Sequence, residues 1–299
     1  MSKVGLIGLG AMGSGMAGSL RRAGNSVQVF DVRREVAEAF AKDGGVAHDT
    51  LASLGAACDV VVSVVVNAAQ TEAVLFGDGT TPGCAASMKP GSVFVMCSTV
   101  DPNWSVALES RLEAMDLRYV DAPISGGAAK AASGQMTMMT AGKPEAYAET
   151  EPFLNAMAAK VYKLGDSAGA GSKVKIINQL LAGVHIAAAA EAMALGLREG
   201  VDAEALYEVI THSAGNSWMF ENRMAHVLAA DYTPLSAVDI FVKDLGIVLD
   251  MARASKFPLP LSSTAHQMFM QASTAGFAKE DDSAVIKIFP GIELPKGKA

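Results

Sequence analysis

Three stretches of this 299-residue chain carry residues whose types and spacing could do chemistry. The first is Gly8-Leu9-Gly10-Ala11-Met12-Gly13, entered from the apolar run Val4–Leu9. In such a loop the first glycine allows a tight turn, the second lets the backbone approach a pyrophosphate, and the third lets the next helix lie close to the sheet. The helix start then offers free N–H groups and a partial positive charge to phosphates. Asp31 stands at the end of a second apolar run, 21 residues beyond Gly10. A carboxylate there can accept hydrogen bonds from both ribose hydroxyls of the adenosine and repels a 2′-phosphate, which favours NAD over NADP. Arg33 and Arg34 lean the other way, since a guanidinium can hold a 2′-phosphate, but the acid occupies the strand end itself. The second stretch is Ser125-Gly126-Gly127, whose hydroxyl and accessible N–H groups could pocket a carboxylate; the same tripeptide also occurs as a plain flexible loop. The third is Lys175 with Asn178, three residues apart and so on one face of a helix. A lysine whose ammonium is disfavoured can take the hydroxyl proton as hydride leaves carbon. The alternative for Lys175 is a solvated surface lysine, which is how the neighbouring Lys173 reads.

These residues need a scaffold, and the hydrophobic pattern supplies one. Strands are expected at Val4–Leu9, Ser26–Asp31, Val60–Val66, Ser92–Cys97 and Arg118–Asp121, alternating with helices at Gly13–Ala23, Glu35–Lys42 and Trp104–Met115. The nearly continuous valine run from Val60 suits a parallel strand covered on both faces. This rhythm implies right-handed crossovers and a doubly wound α/β sheet. Met136–Ala141 and Val161–Leu164 add late strands around a helix at Glu145–Ala158. Beyond Gly165 the pattern turns helical. One helix runs to about Glu199 with Gly200 as its stop, and others follow at Ala203–His212, Trp218–Leu228, Pro234–Ala254 and Pro260–Ala275. A strand-like pattern returns only at Ile286–Phe289. The expected division is residues 1–164 for the nucleotide-binding domain and 165–299 for a helical substrate and oligomerisation domain.

Composition narrows the function classes. A net charge of −7 and a mean hydropathy of +0.28 argue against a polyanion-binding or disordered chain. The three cysteines, Cys58, Cys84 and Cys97, are far apart and odd in number, which fits a reducing, cytoplasmic setting without a disulfide framework. His48, His185, His212, His226 and His266 show no metal-ligand spacing, so no metal is expected. His185 reads as a hydrogen-bonded core residue, and the sixteen methionines as core filler. Trp218-Met219-Phe220 could wall a substrate pocket or pack in a core. Two apolar segments could mislead. Val4–Leu20 is interrupted by glycines and has no clear cleavage site, so it is not read as a signal peptide. Leu180–Leu197 has membrane-spanning length but contains His185 and Glu191, so it is read as a buried helix.

Four spaced motifs identify a resemblance over essentially the whole chain. They are Gly8–Gly13, Asp121-Ala122-Pro123-Ile124-Ser125-Gly126-Gly127, Gly169-Ala170-Gly171 followed by Lys175-Ile176-Ile177-Asn178-Gln179, and Lys243-Asp244-Leu245. Together they resemble the β-hydroxyacid dehydrogenases, the family of 3-hydroxyisobutyrate dehydrogenase, tartronate semialdehyde reductase and L-threonate dehydrogenase. The resemblance implies a Rossmann domain, an all-helical C-terminal domain, a long helix joining them, and homodimers or homotetramers. It implies an NAD-dependent oxidation of a small hydroxy acid, with Lys175 as general acid/base. It assigns Ser125, Gly126, Gly127 and Asn178 to the substrate. It assigns Gly8, Gly10, Ala11, Met12, Gly13, Asp31, Val65, Val66, Thr99 and Lys243 to the cofactor, and leaves Gln179 without a role. One departure stands out: where the family carries a Leu-Pro pair, this chain reads Val65-Val66-Asn67-Ala68-Ala69-Gln70. The stretch to Thr71 resembles the L-threonate dehydrogenase branch, which implies L-threonate, oxidised at its 2-hydroxyl to 2-oxo-tetronate. The alternatives are 3-hydroxyisobutyrate or tartronate semialdehyde as substrate, an imine reductase, or a dinucleotide-binding protein without catalysis. Neither nucleic acid nor membrane is expected as a partner.

Overall fold

The computed structural model describes residues 2–297. Its sheet comprises β1 (Val4–Ile7), β2 (Val27–Phe30), β3 (Val46–Ala47), β4 (Val60–Ser63), β5 (Val93–Met96), β6 (Arg118–Asp121), β7 (Ile124–Ser125), β8 (Met136–Gly142) and β9 (Ala158–Lys163). The spatial order is β3-β2-β1-β4-β5-β6-β8-β7, with β9 also paired to β8. From β3 to β6 every neighbour is parallel; β8 runs antiparallel to β6 and β7 and parallel to β9. Around the sheet lie α1 (Ala11–Arg22), α2 (Arg34–Lys42), α3 (Leu51–Ala57), α4 (Ala68–Phe76), α5 (Pro102–Glu113), α6 (Gly127–Ser133) and α7 (Pro144–Met157). The central strands β1, β4 and β5 are almost continuous apolar runs because both sheet faces are covered there. Val4, Leu6, Val60, Val62, Val93 and Val95 share one core with Met16 and Leu20 of α1. The intervening Ile7, Val61, Phe94 and Met96 share another with Leu54, Leu108 and Leu112. Strand order reverses between β1 and β4, and in such sheets ligands bind outside the carboxyl ends at that reversal.

The remaining helices are α8 (Ala170–Arg198), α9 (Ala203–Thr211), α10 (Trp218–Ala229), α11 (Val238–Ala254) and α12 (Pro260–Ala272). By length and composition α8 could cross a membrane. Yet Ile176, Ile186, Ala190 and Met193 on α8 lie in a core with Phe220, Met224, Val248 and Phe269. The chain divides into two compact units, Met1–Lys175 and Ile176–Ala299. The break between these two units falls inside α8, shortly beyond Gly165, where the strand pattern ends. The reason is local: the residues that open α8 are hydrogen-bonded to β6 and α5, through Asp121 and Glu109.

Three expectations need correcting. The apolar run at Ile286–Phe289 is not a strand; residues Asp282–Ile288 form a 3-10 helix. Asp281 caps it by accepting from the Ser283 N–H, and a side-chain cap of this kind turns a short apolar run into a helical one. The helix expected from Pro234 begins at Val238, because the segment before it is extended: Ala237 has a ψ of 154° and bridges Asp281, and Asp282 N donates to the Ser236 carbonyl at 2.7 Å. His185 is exposed rather than a core residue, on the face of α8 opposite Ile186 and Ala190.

Candidate active site

The glycine loop leaves β1 at Ile7 and enters α1 at Ala11. Gly8 N donates to the Phe30 carbonyl at 2.9 Å, and Leu9 N donates to Asp31 Oδ2 at 2.6 Å, so β2 and the loop are fixed to each other. A Cβ on Gly13 would overlap the Gly8 carbonyl oxygen, so α1 can approach this closely only with glycine there. A Cβ on Gly10 would meet nothing within 4 Å, and Gly10 and Ala11 are exposed while Met12 is half-buried. No side chain caps α1 and no acid sits in its first turn. Its leading N–H groups and positive end are therefore directed into open space beside Gly10, the arrangement that suits a pyrophosphate.

Asp31 is nearly buried at the end of β2. Burial works against its ionisation, but N–H bonds from Arg33 and Leu9 and the Arg33 guanidinium outweigh that and hold its carboxyl below the usual range. Arg33 Nε lies 3.2 Å from Asp31 Oδ1. Arg34 pairs with Glu38 at 2.7 Å and Asp49 at 2.9 Å. Both guanidiniums that could have met a 2′-phosphate are thus engaged by carboxylates. The uncapped helix, the open space at Gly10 and the ionised acid together fit NAD.

Val65 and Val66 follow β4 across the strand reversal, where a Cβ on Gly8 would meet the Val64 carbonyl and the Val65 side chain, and Thr99 follows β5, one strand further out. Ser98 Oγ donates to the Val65 carbonyl at 2.7 Å. Asn67 caps α4 by accepting from Gln70 N at 2.8 Å, and the Gln70 side chain reaches back to accept from Val66 N at 2.8 Å. The stretch that departs from Leu-Pro is therefore a reciprocal helix cap, and the Asn67-x-x-Gln70 spacing is the sequence signal that marks it. Thr99 is half-buried.

Ser125 ends β7, paired with Thr137 of β8. Gly126 and Gly127 follow with φ of +140° and +75°, a turn that side-chain-bearing residues disfavour, and Gly127 opens α6 at the surface. The tripeptide is thus a shaped strand-to-helix turn rather than a flexible loop. Lys175 is only 7% exposed, whereas Lys173 is exposed. The structure thereby separates the two lysines that α8 presents within one turn, and Lys175 is not a solvated surface group.

In the second unit a side-chain relay runs along α8 and α11. Asn178 Nδ2 donates to Gln179 Oε1 at 3.0 Å, Gln179 Nε2 donates to Asp244 Oδ2 at 2.6 Å, and Lys243 Nζ lies 2.6 Å from Asp244 Oδ1. Asp244 is buried. The relay gives Gln179 a role, tying Asn178 to Lys243-Asp244. Nothing in the sequence pairs residues 65 positions apart, so only the fold could reveal it. Trp218 is exposed and Phe220 buried, so that aromatic pair splits between surface and core. Among the described residues no three His, Cys, Asp or Glu side chains are grouped to hold a metal ion.

Residues 3–165 match the NAD-binding domain of 6-phosphogluconate dehydrogenase, and residues 169–289 match the NAD-binding domain of NADP-dependent 3-hydroxyisobutyrate dehydrogenase. The L-threonate dehydrogenase of Cupriavidus necator is 68% identical over 99% of this chain and 98% of its own length. This chain belongs to the 3-hydroxyisobutyrate dehydrogenase family of β-hydroxyacid dehydrogenases. The L-threonate dehydrogenase of Escherichia coli K12 is 52% identical over 99% of the chain and 97% of its own length. The crystal structure of a 3-hydroxyisobutyrate dehydrogenase from Salmonella typhimurium superimposes with a TM-score of 0.92 at 52% identity, covering 97% of this chain and all of that one. As a member of this family the chain is an NAD-dependent dehydrogenase of hydroxy acids, and the acid at the end of β2 is the feature that suits NAD.

Proposed function

We propose that the chain oxidises L-threonate, or a close four-carbon polyhydroxy acid, at the 2-hydroxyl to 2-oxo-tetronate. The observation that carries this reading is the 68% identity, over nearly the full length of both chains, with a relative named for that reaction. When bound, NAD⁺ supplies the hydride acceptor. The chain's own residues supply the rest. The Ser125 hydroxyl and the N–H groups of Gly126 and Gly127 bind the substrate carboxylate. Lys175 Nζ takes the hydroxyl proton as the C–H bond at C2 breaks, so the carbinol becomes a ketone. Asn178, one turn further along α8, orients the hydroxyl, and Gln179 orients Asn178 through the bond at 3.0 Å. Gly8, Gly10, Ala11, Met12, Gly13 and Asp31 hold the adenosine and pyrophosphate, while Val65, Val66, Thr99 and Lys243 contact the remainder of the cofactor.

3-Hydroxyisobutyrate is the second reading, because a relative of that name is also 52% identical. Tartronate semialdehyde is a third. The deciding measurement is kcat/KM for L-threonate, D-threonate, glycerate and 3-hydroxyisobutyrate with NAD⁺, and for tartronate semialdehyde with NADH. L-Threonate should lead, since a site built to bond hydroxyls discriminates strongly against analogues that lack them. A tenfold lead for 3-hydroxyisobutyrate would overturn the substrate while leaving the dehydrogenase. Cofactor binding with no turnover of any of these acids would favour a non-catalytic role.

The same proposal includes a cytoplasmic homo-oligomer. Ile177, Leu181 and Leu195 project from α8 with more than half their surface exposed, and Ala188 lies on the same stripe. A second copy is the covering that this reading implies, and sedimentation of the protein would show a dimer or tetramer.

A further inference from the structure

Asp121 ends β6 with no solvent exposure, and its carboxylate binds the chain segment that opens α8. Oδ2 accepts from Gly169 N and from Ser172 N, each at 2.9 Å, and Oδ1 accepts from Ser172 Oγ at 2.7 Å. A carboxylate placed there satisfies N–H groups that a helix start leaves without partners and sits favourably against its positive end. The grip has two further parts. Glu109 Oε2 of α5 accepts from Ala168 N at 3.1 Å. Gly171 lies so close to β8 that a Cβ on it would run into the Met139 carbonyl oxygen. The first turn of α8 is therefore fixed in both height and rotation.

Two functional groups lie on either side of this grip. Ser125-Gly126-Gly127 follows Asp121 after three residues of the same chain segment. Lys175 follows Ser172 by three residues, on the same side of α8. We propose that Asp121 is a positioning residue for the dehydrogenase reaction: by holding Gly169 and Ser172 it sets where Lys175 stands relative to the Ser125-Gly126-Gly127 turn. This rests on the assignment of Lys175 as acid/base. Acid–base catalysis at a hydroxyl bonded to carbon demands that placement, and a shift of about 1 Å can cost about 100-fold in rate.

The test compares Asp121→Ala, Asp121→Asn, Ser172→Ala, Ser172→Thr and Lys175→Ala in the full chain. For each, kcat with L-threonate and NAD⁺, or with 3-hydroxyisobutyrate should the wild type turn that acid over faster, is expressed per NADH-binding site, counted by fluorescence titration, beside the thermal midpoint. An asparagine oxygen can still accept both N–H groups while its amide donates to Ser172 Oγ, so Asp121→Asn should keep most of the rate. Asp121→Ala should lower kcat per site by about 100-fold and Ser172→Ala by about tenfold, with the NADH dissociation constant within twofold of wild type. Ser172→Thr should restore the rate. A purely structural role would lower the thermal midpoint and leave kcat per site unchanged. That result in Ser172→Ala overturns the proposal, and this milder variant decides even if Asp121→Ala does not fold. Normal turnover in Lys175→Ala would remove the acid/base assignment itself. A dead Lys175→Ala beside a normal Ser172→Ala would remove only the positioning role.

Discussion

The two compact units hold their chemically important side chains by different means. In Met1–Lys175 the key carboxylates are gripped largely by main-chain N–H groups: Asp31 by Leu9 and Arg33, Asp121 by Gly169 and Ser172. In Ile176–Ala299 they are held by other side chains: Asp244 by Gln179 and Lys243, Asp282 by Arg223. Main-chain donors are present whatever the residue types, so such a site depends on backbone path and on glycines at close approaches. A side-chain pair depends on both identities and fails when either is changed. The first unit should therefore lose function while keeping its fold when a functional group is trimmed, and the second should lose stability first.

The largest effect should come from Lys175→Ala. Its kcat should fall by about 10²–10⁴-fold, the usual contribution of general acid–base catalysis, with NADH affinity nearly unchanged by fluorescence titration. Loss of cofactor binding in parallel would blur the separation of chemistry from cofactor holding.

Arg223→Leu should show the opposite pattern. It leaves Asp282 buried without its guanidinium, and breaking a buried pair this way costs about 3–5 kcal/mol. Burial pushes the Asp282 carboxyl up to about 7, against the pull of Arg223. A carboxyl raised on folding stabilises the fold fully below its unfolded value of about 4, and that contribution is lost as pH rises through the folded value. Removing Arg223 raises the folded value further, so the variant's deficit in denaturant unfolding should be larger at pH 8 than at pH 5. A deficit independent of pH would show that Asp282 is not what the arginine protects.

Asp31→Ser comes next. Loss of a charged acceptor near the ribose should shift the ratio of NAD⁺ to NADP⁺ affinity by about 10–100-fold towards NADP⁺, measured by titration calorimetry. Arg33 is released from its partner in the same step. The smallest effect is expected from Asn67→Ala, a lost helix cap worth about 1 kcal/mol. Its preference between L-threonate and 3-hydroxyisobutyrate should not change. A changed preference would make Asn67 a substrate residue as well as a cap.

The sequence by itself determined the parts that are local. The strand-turn-helix at Val4–Arg22, the acid at the end of the second strand and the alternation of strands with helices all follow from short-range patterns. Hydrophobic period, glycine spacing and strand-helix alternation are enforced by backbone geometry, so they leave marks in the chain itself. The family motifs singled out Lys175 over Lys173, but only burial distinguishes the two physically. Tertiary structure alone decided what depends on residues distant in sequence. Asp121 meets Ser172 at a separation of 51, Gln179 meets Asp244 at 65, and Arg223 meets Asp282 at 59. It also decided whether an apolar run becomes strand or helix. Ala284, Val285 and Ile286 are consecutive buried residues, which suits a covered strand, yet the Asp281 side chain supplies a helical cap and no neighbouring strand competes for their backbone among the described residues. His185 is the converse case: an apolar sequence around it suggested a core, but α8 presents one face to the core and leaves the other exposed. Burial belongs to a face, and which face is buried depends on what packs there.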